Sequence, residues 1–216
     1  MKLFLIAAAL FFMAPHSRAL DVDGDGMSDV FEQVYGVTDP TLDPDGDGQN
    51  NLFESLAGTH PKNSSDYFKA AYSPGSQSGF WRLTWPSVTG KNYGLRMSND
   101  LLPDNWFSIP GLPIAGTGGI LSVESSYAYA APNHKTFYQA ISRPSDDLDA
   151  DSLDAWEEIL LDTSDVLLDD DGDLIPSVLE VINGTNPLSS SSPADASGYL
   201  ITGSDEDEFQ VFTAGE

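Results

Sequence analysis

Hydrophobic residues in the middle of the chain recur with the period of two that is typical of β-strands. Phe80–Trp85 is rich in aromatic residues and stops before Pro86, and residues 93–98 alternate between apolar and polar positions. Further runs of this kind, separated by glycine-containing turns, lie at 105–109, 120–124 and 137–141. Five or six short strands of this kind predict a small β-sandwich module over residues 62–145.

The segments on either side of this module combine runs of Asp and Gly with short apolar stretches. Ser28–Tyr35 can form two helical turns, and Gly36 stands where a glycine commonly ends a helix. No long amphipathic stretch precedes any acidic run, so each unit is predicted to be a loop followed by one short helix. The expected fold class is therefore mainly β with small α: a β-sandwich flanked by two pairs of loop-plus-helix repeats.

An apolar run of 11 residues, Leu3–Met13, opens the chain after Lys2. It is followed by Pro15 and then by Ser17-Arg18-Ala19, which places small residues three and one positions before a cut after Ala19. Eleven apolar residues are too few to span a bilayer, so residues 1–19 are predicted to be a signal peptide. The alternative is a retained N-terminal anchor. The expected location is secreted, extracytoplasmic or cell-surface, with no membrane span.

Charge is distributed in blocks along the 216 residues, which carry 34 acids, nine Lys or Arg and a net charge of −25. The blocks divide the chain into a first acidic pair at 20–61, the near-neutral β-module at 62–145, a second acidic pair at 146–187 and a tail at 188–216 that combines a linker, acidic residues and a possible single strand. So acidic a chain repels nucleic acid and anionic membranes. The absence of cysteine excludes disulfides, thiolate catalysis and thiolate metal sites.

The first acidic block contains two twelve-residue loops with oxygen ligands at fixed positions. Residues 21–32 carry carboxylates at positions 1, 3, 5, 9 and 12 and a glycine, Gly26, at position 6. Residues 43–54 repeat the pattern with Gly48 at position 6. In an EF-hand-like loop these positions surround one Ca²⁺, position 7 contributes its backbone carbonyl, and the final Glu supplies two oxygens.

The second acidic block repeats this spacing less completely. Residues 147–158 carry Ser152 at position 6 and Ala155 at position 9, whereas residues 169–180 carry Leu174 at position 6. The loops of each pair start 22 residues apart, and the second pair follows the first by 126 residues. We number the loops 1 to 4 along the chain. We expect loops 1 and 2 to bind most tightly, then loop 4, and finally loop 3, in which water fills the place of the missing ligand.

All predicted ligands are hard oxygen donors, which favour Ca²⁺ over transition metals. The alternative, an acidic disordered linker, would not place Gly and Glu at fixed positions repeatedly. The predicted metal-binding residues, including position 7 for its backbone carbonyl, are Asp21, Asp23, Asp25, Met27, Asp29 and Glu32; Asp43, Asp45, Asp47, Gln49, Asn51 and Glu54; Asp147, Asp149, Asp151, Leu153 and Glu158; and Asp169, Asp171, Asp173, Ile175 and Glu180.

The two acidic blocks resemble bacterial thrombospondin type 3 repeats. The resemblance rests on Asp-x-Asp-Gly-Asp-Gly-Met-Ser-Asp-x-Phe-Glu in loop 1 and Asp-Pro-Asp-Gly-Asp-Gly-Gln-Asn-Asn-Leu-Phe-Glu in loop 2. It covers residues 21–61 and, less closely, 147–187, and it implies calcium-stabilised spacer modules in secreted proteins. The order of Trp85, Gly90, Tyr93, Trp106 and Phe137 in the β-module is similar to that of fibronectin-III-like or immunoglobulin-like modules.

Three functions are compatible with these features. The first is a secreted, non-enzymatic calcium-binding protein that acts as a spacer or in surface interactions with extracellular modules. The second is a carbohydrate-binding or adhesive protein whose β-module grips surface glycans through Trp81, Trp85 or Trp106, although core packing is the expected role of these side chains. The third is a dockerin-like module that binds a protein partner, although the Ser/Thr recognition pairs of dockerins are not evident.

No catalytic motif is evident in the sequence. His60 lies in a turn-like Gly-Thr-His-Pro segment, and His134 lies in a polar loop. No nucleophile elbow, phosphate-binding loop or metalloprotease motif is present. The chain is therefore not expected to be an enzyme.

Overall fold

The computed structural model describes residues 19–100, 102, 105–109, 113–126, 137–143, 145–191, 199–201 and 211–213. It confirms a chain of mainly β structure with a few small helices. The helices are α1 (Asp29–Tyr35), α2 (Asn51–Ala57), α3 (Ala155–Leu161) and α4 (Ser177–Asn183). The strands are β1 (Ala71–Pro74), β2 (Phe80–Pro86), β3 (Asn92–Ser98), β4 (Phe107–Ser108), β5 (Ile114–Ala115), β6 (Ile120–Ser126), β7 (Phe137–Arg143), β8 (Tyr199–Ile201) and β9 (Val211–Thr213).

The central module consists of two antiparallel sheets that share one core. One sheet has the order β1-β2-β6, and in the other β3 pairs with β7 along its whole length and with the two-residue strands β4 and β5. Alternate residues of β2 point into the core, where the Trp81 ring lies 4.3 Å from the Tyr138 ring. The ring of Trp85 lies 6.3 Å from that of Tyr93, so aromatic contacts join the two sheets.

Three details of the strand prediction differ from the structure. Strands β1 and β5 were not predicted, because both are short and acquire their partners only through tertiary contacts. The run at 105–109 forms only the two-residue strand β4. In the tail, where a single strand was expected, the structure has two paired strands, β8 and β9.

Each acidic loop leads directly into a seven-residue helix, as the sequence predicts. The side chains of Ser28 and Asn50 cap the first two helices, and Asp154 forms a reciprocal capping box with Glu157 at the start of α3. All four helices end at a left-handed residue. Within the described part of the chain, no helix has the length and apolar character needed to cross a membrane.

The two repeat pairs pack against each other, although the β-module separates them in sequence. Val30 of α1 shares a buried cluster with Leu153, Val178 and Val181 of the second pair. A neighbouring cluster joins Phe31 of α1 to Trp156 of α3, and these two rings lie 6.1 Å apart. Helices α1 and α3 therefore form a common interface.

The first pair also packs against the β-module. Ala57 of α2 lies in the core of the module, and the Tyr93 hydroxyl donates to its carbonyl at 3.4 Å. The buried Lys91 ammonium donates to the Ser55 carbonyl at 3.0 Å and lies 3.3 Å from the centre of the Trp156 ring. Lys91 thus connects the β-module to both repeat pairs.

Candidate metal centres

Each of the four acidic loops brings its first three aspartates together. At positions 1, 3 and 5, one carboxylate oxygen from each residue lies within 4.8 Å of the others. In loop 1 a second group joins Asp23 to Asp29 and Glu32 at the same separation. The three-aspartate groups are Asp21, Asp23 and Asp25; Asp43, Asp45 and Asp47; Asp147, Asp149 and Asp151; and Asp169, Asp171 and Asp173.

Local hydrogen bonds fold three of the loops in the same way. In loop 2, the carboxylate of Asp43 accepts from the backbone N–H groups of Gly46 and Gly48 at 2.8 and 2.9 Å. Asp21 and Asp169, at position 1 of loops 1 and 4, make the equivalent pairs of bonds. Asp147 differs, because its Oδ1 is buried without a hydrogen-bond partner. These bonds hold the position-1 carboxylates in place, and one oxygen each of Asp45, Asp47, Asp171 and Asp173 has no hydrogen-bond partner.

Three of the four position-12 glutamates are buried beneath their loops. Glu54 and Glu180 are 0% exposed and Glu158 is 1% exposed, whereas Glu32 is half-buried. One oxygen of Glu54, one of Glu180 and both of Glu158 have no hydrogen-bond partner. An ionised carboxylate is costly to bury without a partner. These oxygens, together with the unpartnered aspartate oxygens of the loops, form an oxygen-only donor set that fits a metal cation.

Burial and neighbouring carboxylates raise the pKa of these glutamates, with burial the larger cause in each case. The pKa rises to about 7 for Glu32 and Glu180, to about 8 for Glu54 and to about 9 for Glu158. The buried Asp151 carboxyl has its pKa raised to about 7 for the same reasons. Near neutral pH these sites therefore hold protons or a cation.

In loops 1 and 2 the position-7 side chain is buried or bonded outside its loop, and in loop 2 the position-9 amide has an unpartnered oxygen. The side chain of Met27 is buried. The Gln49 side-chain amide donates to the Phe68 carbonyl and accepts from the Phe68 backbone N–H. Each of these position-7 residues thus has its side chain engaged elsewhere, as a backbone ligand requires. At position 9, Asn51 donates to the Asp39 carbonyl at 2.8 Å, and its Oδ1 is buried and unpartnered.

Position 7 is occupied by apolar residues in the second pair, where Leu153 is buried and Ile175 is half-buried. At position 9 of loop 4, the Ser177 hydroxyl donates to Asp170 at 3.0 Å. Loop 3 has Ala155 at this position and so has no side-chain oxygen there.

Asp165 places a carboxylate beside loop 3 that the sequence analysis missed. In loop 1, Asp29, the predicted ligand at position 9, accepts from the backbone N–H of Val22, at position 2, at 2.8 Å. In loop 3, Asp165 accepts from the backbone N–H of Leu148, also at position 2, at 2.8 Å. Among the charged neighbours of Glu158, Asp165 is the one that raises its pKa most. In loop 3, Asp165 therefore makes the position-2 hydrogen bond that Asp29 makes in loop 1, whereas Ala155 at position 9 has no side-chain oxygen.

This residue escaped the sequence analysis because it lies outside the twelve-residue pattern, seven positions after Glu158. The repeat offset of 126 residues aligns it with Asp39, which instead accepts from Thr41 in its own turn. Two features of the sequence could have pointed to Asp165: loop 3 has no side-chain ligand at position 9, and Asp165 is a nearby acid that the loop pattern does not use.

The sharp turn at position 6 has a left-handed backbone in every loop. The φ angles are 94° at Gly26, 97° at Gly48, 84° at Ser152 and 78° at Leu174. A non-glycine residue is strained in this region. The Leu174 side chain is 86% exposed, so no packing contact offsets its strain. The expectation of a strained turn in loop 4 is confirmed.

Two of the three tryptophans proposed for sugar binding are buried. Trp81 and Trp85 are each 1% exposed, whereas the half-buried Trp106 lies beneath the Arg96 guanidinium at 5.1 Å. His60 packs against Tyr35, and its Nδ1 accepts from the Lys62 backbone in a turn. His134 lies outside the described residues.

Comparison of the chain with protein-family models, with curated proteins and with solved structures finds no significant match.

Proposed function

We propose that this chain is an exported, non-enzymatic calcium-binding protein in which Ca²⁺ holds the acidic repeats in their folded arrangement. One observation carries the proposal: buried glutamates with unpartnered oxygens lie beside a group of three aspartates. This arrangement occurs in loops 2, 3 and 4, and loop 1 has the same groups around a half-buried glutamate. A bound cation would balance like charges placed so closely.

The donor set favours calcium over other divalent ions. Three aspartates, a carboxylate or amide at position 9, a backbone carbonyl and a bidentate glutamate supply the six to eight oxygens that Ca²⁺ prefers. Mg²⁺ prefers a smaller octahedral site and retains water, and zinc favours nitrogen and sulfur ligands. In loop 3, Asp165 would supply the oxygen that Ala155 lacks. This site would then contain five carboxylates: Asp147, Asp149, Asp151, Glu158 and Asp165.

The proposed role is structural rather than regulatory. A calcium sensor exposes a groove by changing the angle between two helices that flank its loop, whereas each loop here is followed by a single seven-residue helix. Helices α1 and α3 bury apolar side chains against each other, so ions bound beside them would stabilise the interface between the pairs. The protein would then present its β-module on a calcium-stabilised base.

The other two functions receive less support. Burial of Trp81 and Trp85 removes two of the three aromatic rings proposed for sugar binding. The packing of α1 against α3 occupies helix surfaces that a dockerin-like module would offer to a partner. The resemblances to thrombospondin type 3 repeats and to fibronectin-III-like modules stay predictions.

Calcium titration of the exported protein tests the proposal. Calorimetry at about millimolar calcium, the range in which extracellular modules commonly bind, should show saturable binding. Calcium at a hundredfold excess over Kd should add about 2.7 kcal/mol of stability for each site. Glu54→Gln should remove one site, whereas the matched change Asp162→Asn, at an exposed residue outside the loops, should remove none. The absence of calcium heat, together with an unchanged unfolding transition after chelation, would refute the proposal.

A further inference from the structure

Glu157 is a buried carboxylate that is not part of any candidate metal centre. It lies in the first turn of α3, is 0% exposed, and accepts from the Ser28 hydroxyl at 2.5 Å and the Asp154 backbone N–H at 2.9 Å. Both of its oxygens also face the backbone nitrogen of Leu20, at 3.0 and 3.2 Å. One N–H cannot direct a linear bond to two acceptors, whereas an ammonium has three donors to distribute between them.

The surroundings of Glu157 contain an excess of negative charge. Asp154 is also buried and lies beside Glu157, with which it forms the capping box of α3. Lys91 is the basic residue that the described structure places beside these two acids, and its ammonium is buried on the Trp156 ring. Two acids and one base leave one acidic group here without a basic partner, and an ionised carboxylate without a counterion is unfavourable in a low-dielectric interior.

Leu20 makes contacts through its backbone nitrogen, its backbone carbonyl and its side chain. Its nitrogen faces Glu157, its carbonyl accepts from the Asp29 backbone N–H at 2.8 Å, and its side chain packs against the buried cluster that contains Val30 and Leu153. This anchored residue directly follows Ala19, the last residue of the predicted signal peptide. The predicted cleavage point and the nitrogen that faces Glu157 therefore belong to the same peptide bond.

We propose that the Ala19–Leu20 bond is the processing site of this protein, and that cleavage there creates an α-ammonium group on Leu20 that forms a buried ion pair with Glu157. A leader endopeptidase adds one water across the bond: Ala19 keeps the new carboxylate and leaves with the leader, and the Leu20 amine binds a proton. The ammonium then balances the excess negative charge and bonds to both Glu157 oxygens. This inference rests on the proposed export, and it does not depend on calcium.

The ion pair would join the two repeat pairs. Leu20 begins the first repeat pair, and Glu157 lies in the second, 137 positions later. The packed position of Leu20 requires cleavage before this part of the chain folds. The unprocessed chain lacks the charge that completes the interface, so removal of the leader would stabilise the docked pairs.

The first test is the N-terminus of the exported protein, for which sequencing and intact mass should give Leu20. The second compares unfolding by urea, in saturating calcium, of a chain that begins at a free Leu20 with a chain extended by Ala19 alone. The extension turns the Leu20 ammonium into a neutral peptide N–H. Because a charged hydrogen bond is stronger than a neutral one, the extension should raise the unfolding equilibrium constant about tenfold. In a Glu157→Gln background the extension should change it by less than about twofold.

A mature N-terminus at another residue would overturn the proposal, as would equal stability of the free and extended chains. The comparison of these two chains needs no substitution and stays decisive where Glu157→Gln does not fold. Calcium calorimetry on the same proteins separates the two proposals. Loss of calcium binding would refute the metal sites, whereas loss of the difference between the chains would refute only the ion pair.

Discussion

Removal of calcium should reverse the pH dependence of stability. In the calcium-free protein, burial and crowding raise the pKa of Glu54 to about 8 and that of Glu158 to about 9. In the unfolded chain both return to the ordinary value for glutamate, which is about 4.3. The folded calcium-free protein thus binds protons more tightly than the unfolded chain. Its stability is greatest below about pH 4.5 and falls as pH rises through about 7 to 9.

Bound calcium should give the opposite pH dependence of stability. Its ligands must be ionised, so protons compete with calcium, and the stability of the loaded protein should fall as pH is lowered through the same range. One pKa unit corresponds to about 1.4 kcal/mol. Between about pH 5 and pH 8, ionisation of the fully buried Glu54 alone should therefore lower the free energy of unfolding of the calcium-free protein by a few kcal/mol.

The assay is urea unfolding at about pH 5 and about pH 8, with the protein either depleted of calcium on a chelating resin or saturated with it. The free energy of unfolding should fall with pH in the depleted protein and rise with pH in the saturated protein. Glu54→Gln, which cannot ionise, should flatten both dependences, whereas Asp162→Asn should leave them unchanged. Slopes of the same sign in both states would refute the reasoning.

Three further predictions concern individual loops. Asp165→Asn should weaken the loop 3 site in calorimetry, whereas the same change at the repeat-equivalent Asp39 should leave every site intact; equal effects would contradict the role given to Asp165. Leu174→Gly should relieve roughly 1–2 kcal/mol of backbone strain and raise the calcium affinity of loop 4 by several-fold to thirtyfold. Gly48→Leu should lower the affinity of loop 2 to a similar extent, because open space around Gly48 leaves backbone strain as the only cost; unchanged affinities would show that the turn carries no strain.

Most elements of the fold were predictable because they depend on local patterns. Helix α1 ends at Gly36 as the sequence indicated and begins one residue after Ser28, which caps it. Strand β2 shows alternate buried and half-buried residues. The missed strands β1 and β5 have four and two residues. Segments so short carry too little periodicity to be recognised, and they are strands only because β2 and β3 offer them hydrogen-bonding edges.

The packing beneath the loops depends on which face of each helix a neighbouring helix covers. Phe31 and Trp156 are buried, whereas Val34, an apolar residue of the same helix as Phe31, is exposed. Spacing identifies which residues can share a helix face, whereas only the position of the neighbouring helix decides which of these faces is covered.

By itself, the sequence determined the oxygen groups of the four loops, because alternate residues of a tight turn converge on one centre whatever surrounds them. The left-handed turns at position 6 and the helices that follow are similarly local. Only the tertiary structure decided that the two repeat pairs pack together, that Asp165 reaches loop 3, and that Glu157 faces the nitrogen of Leu20. These contacts join distant parts of the chain or lie outside the loop spacing, and they arise from the burial of apolar helix faces, a non-directional force that leaves no fixed spacing in the sequence.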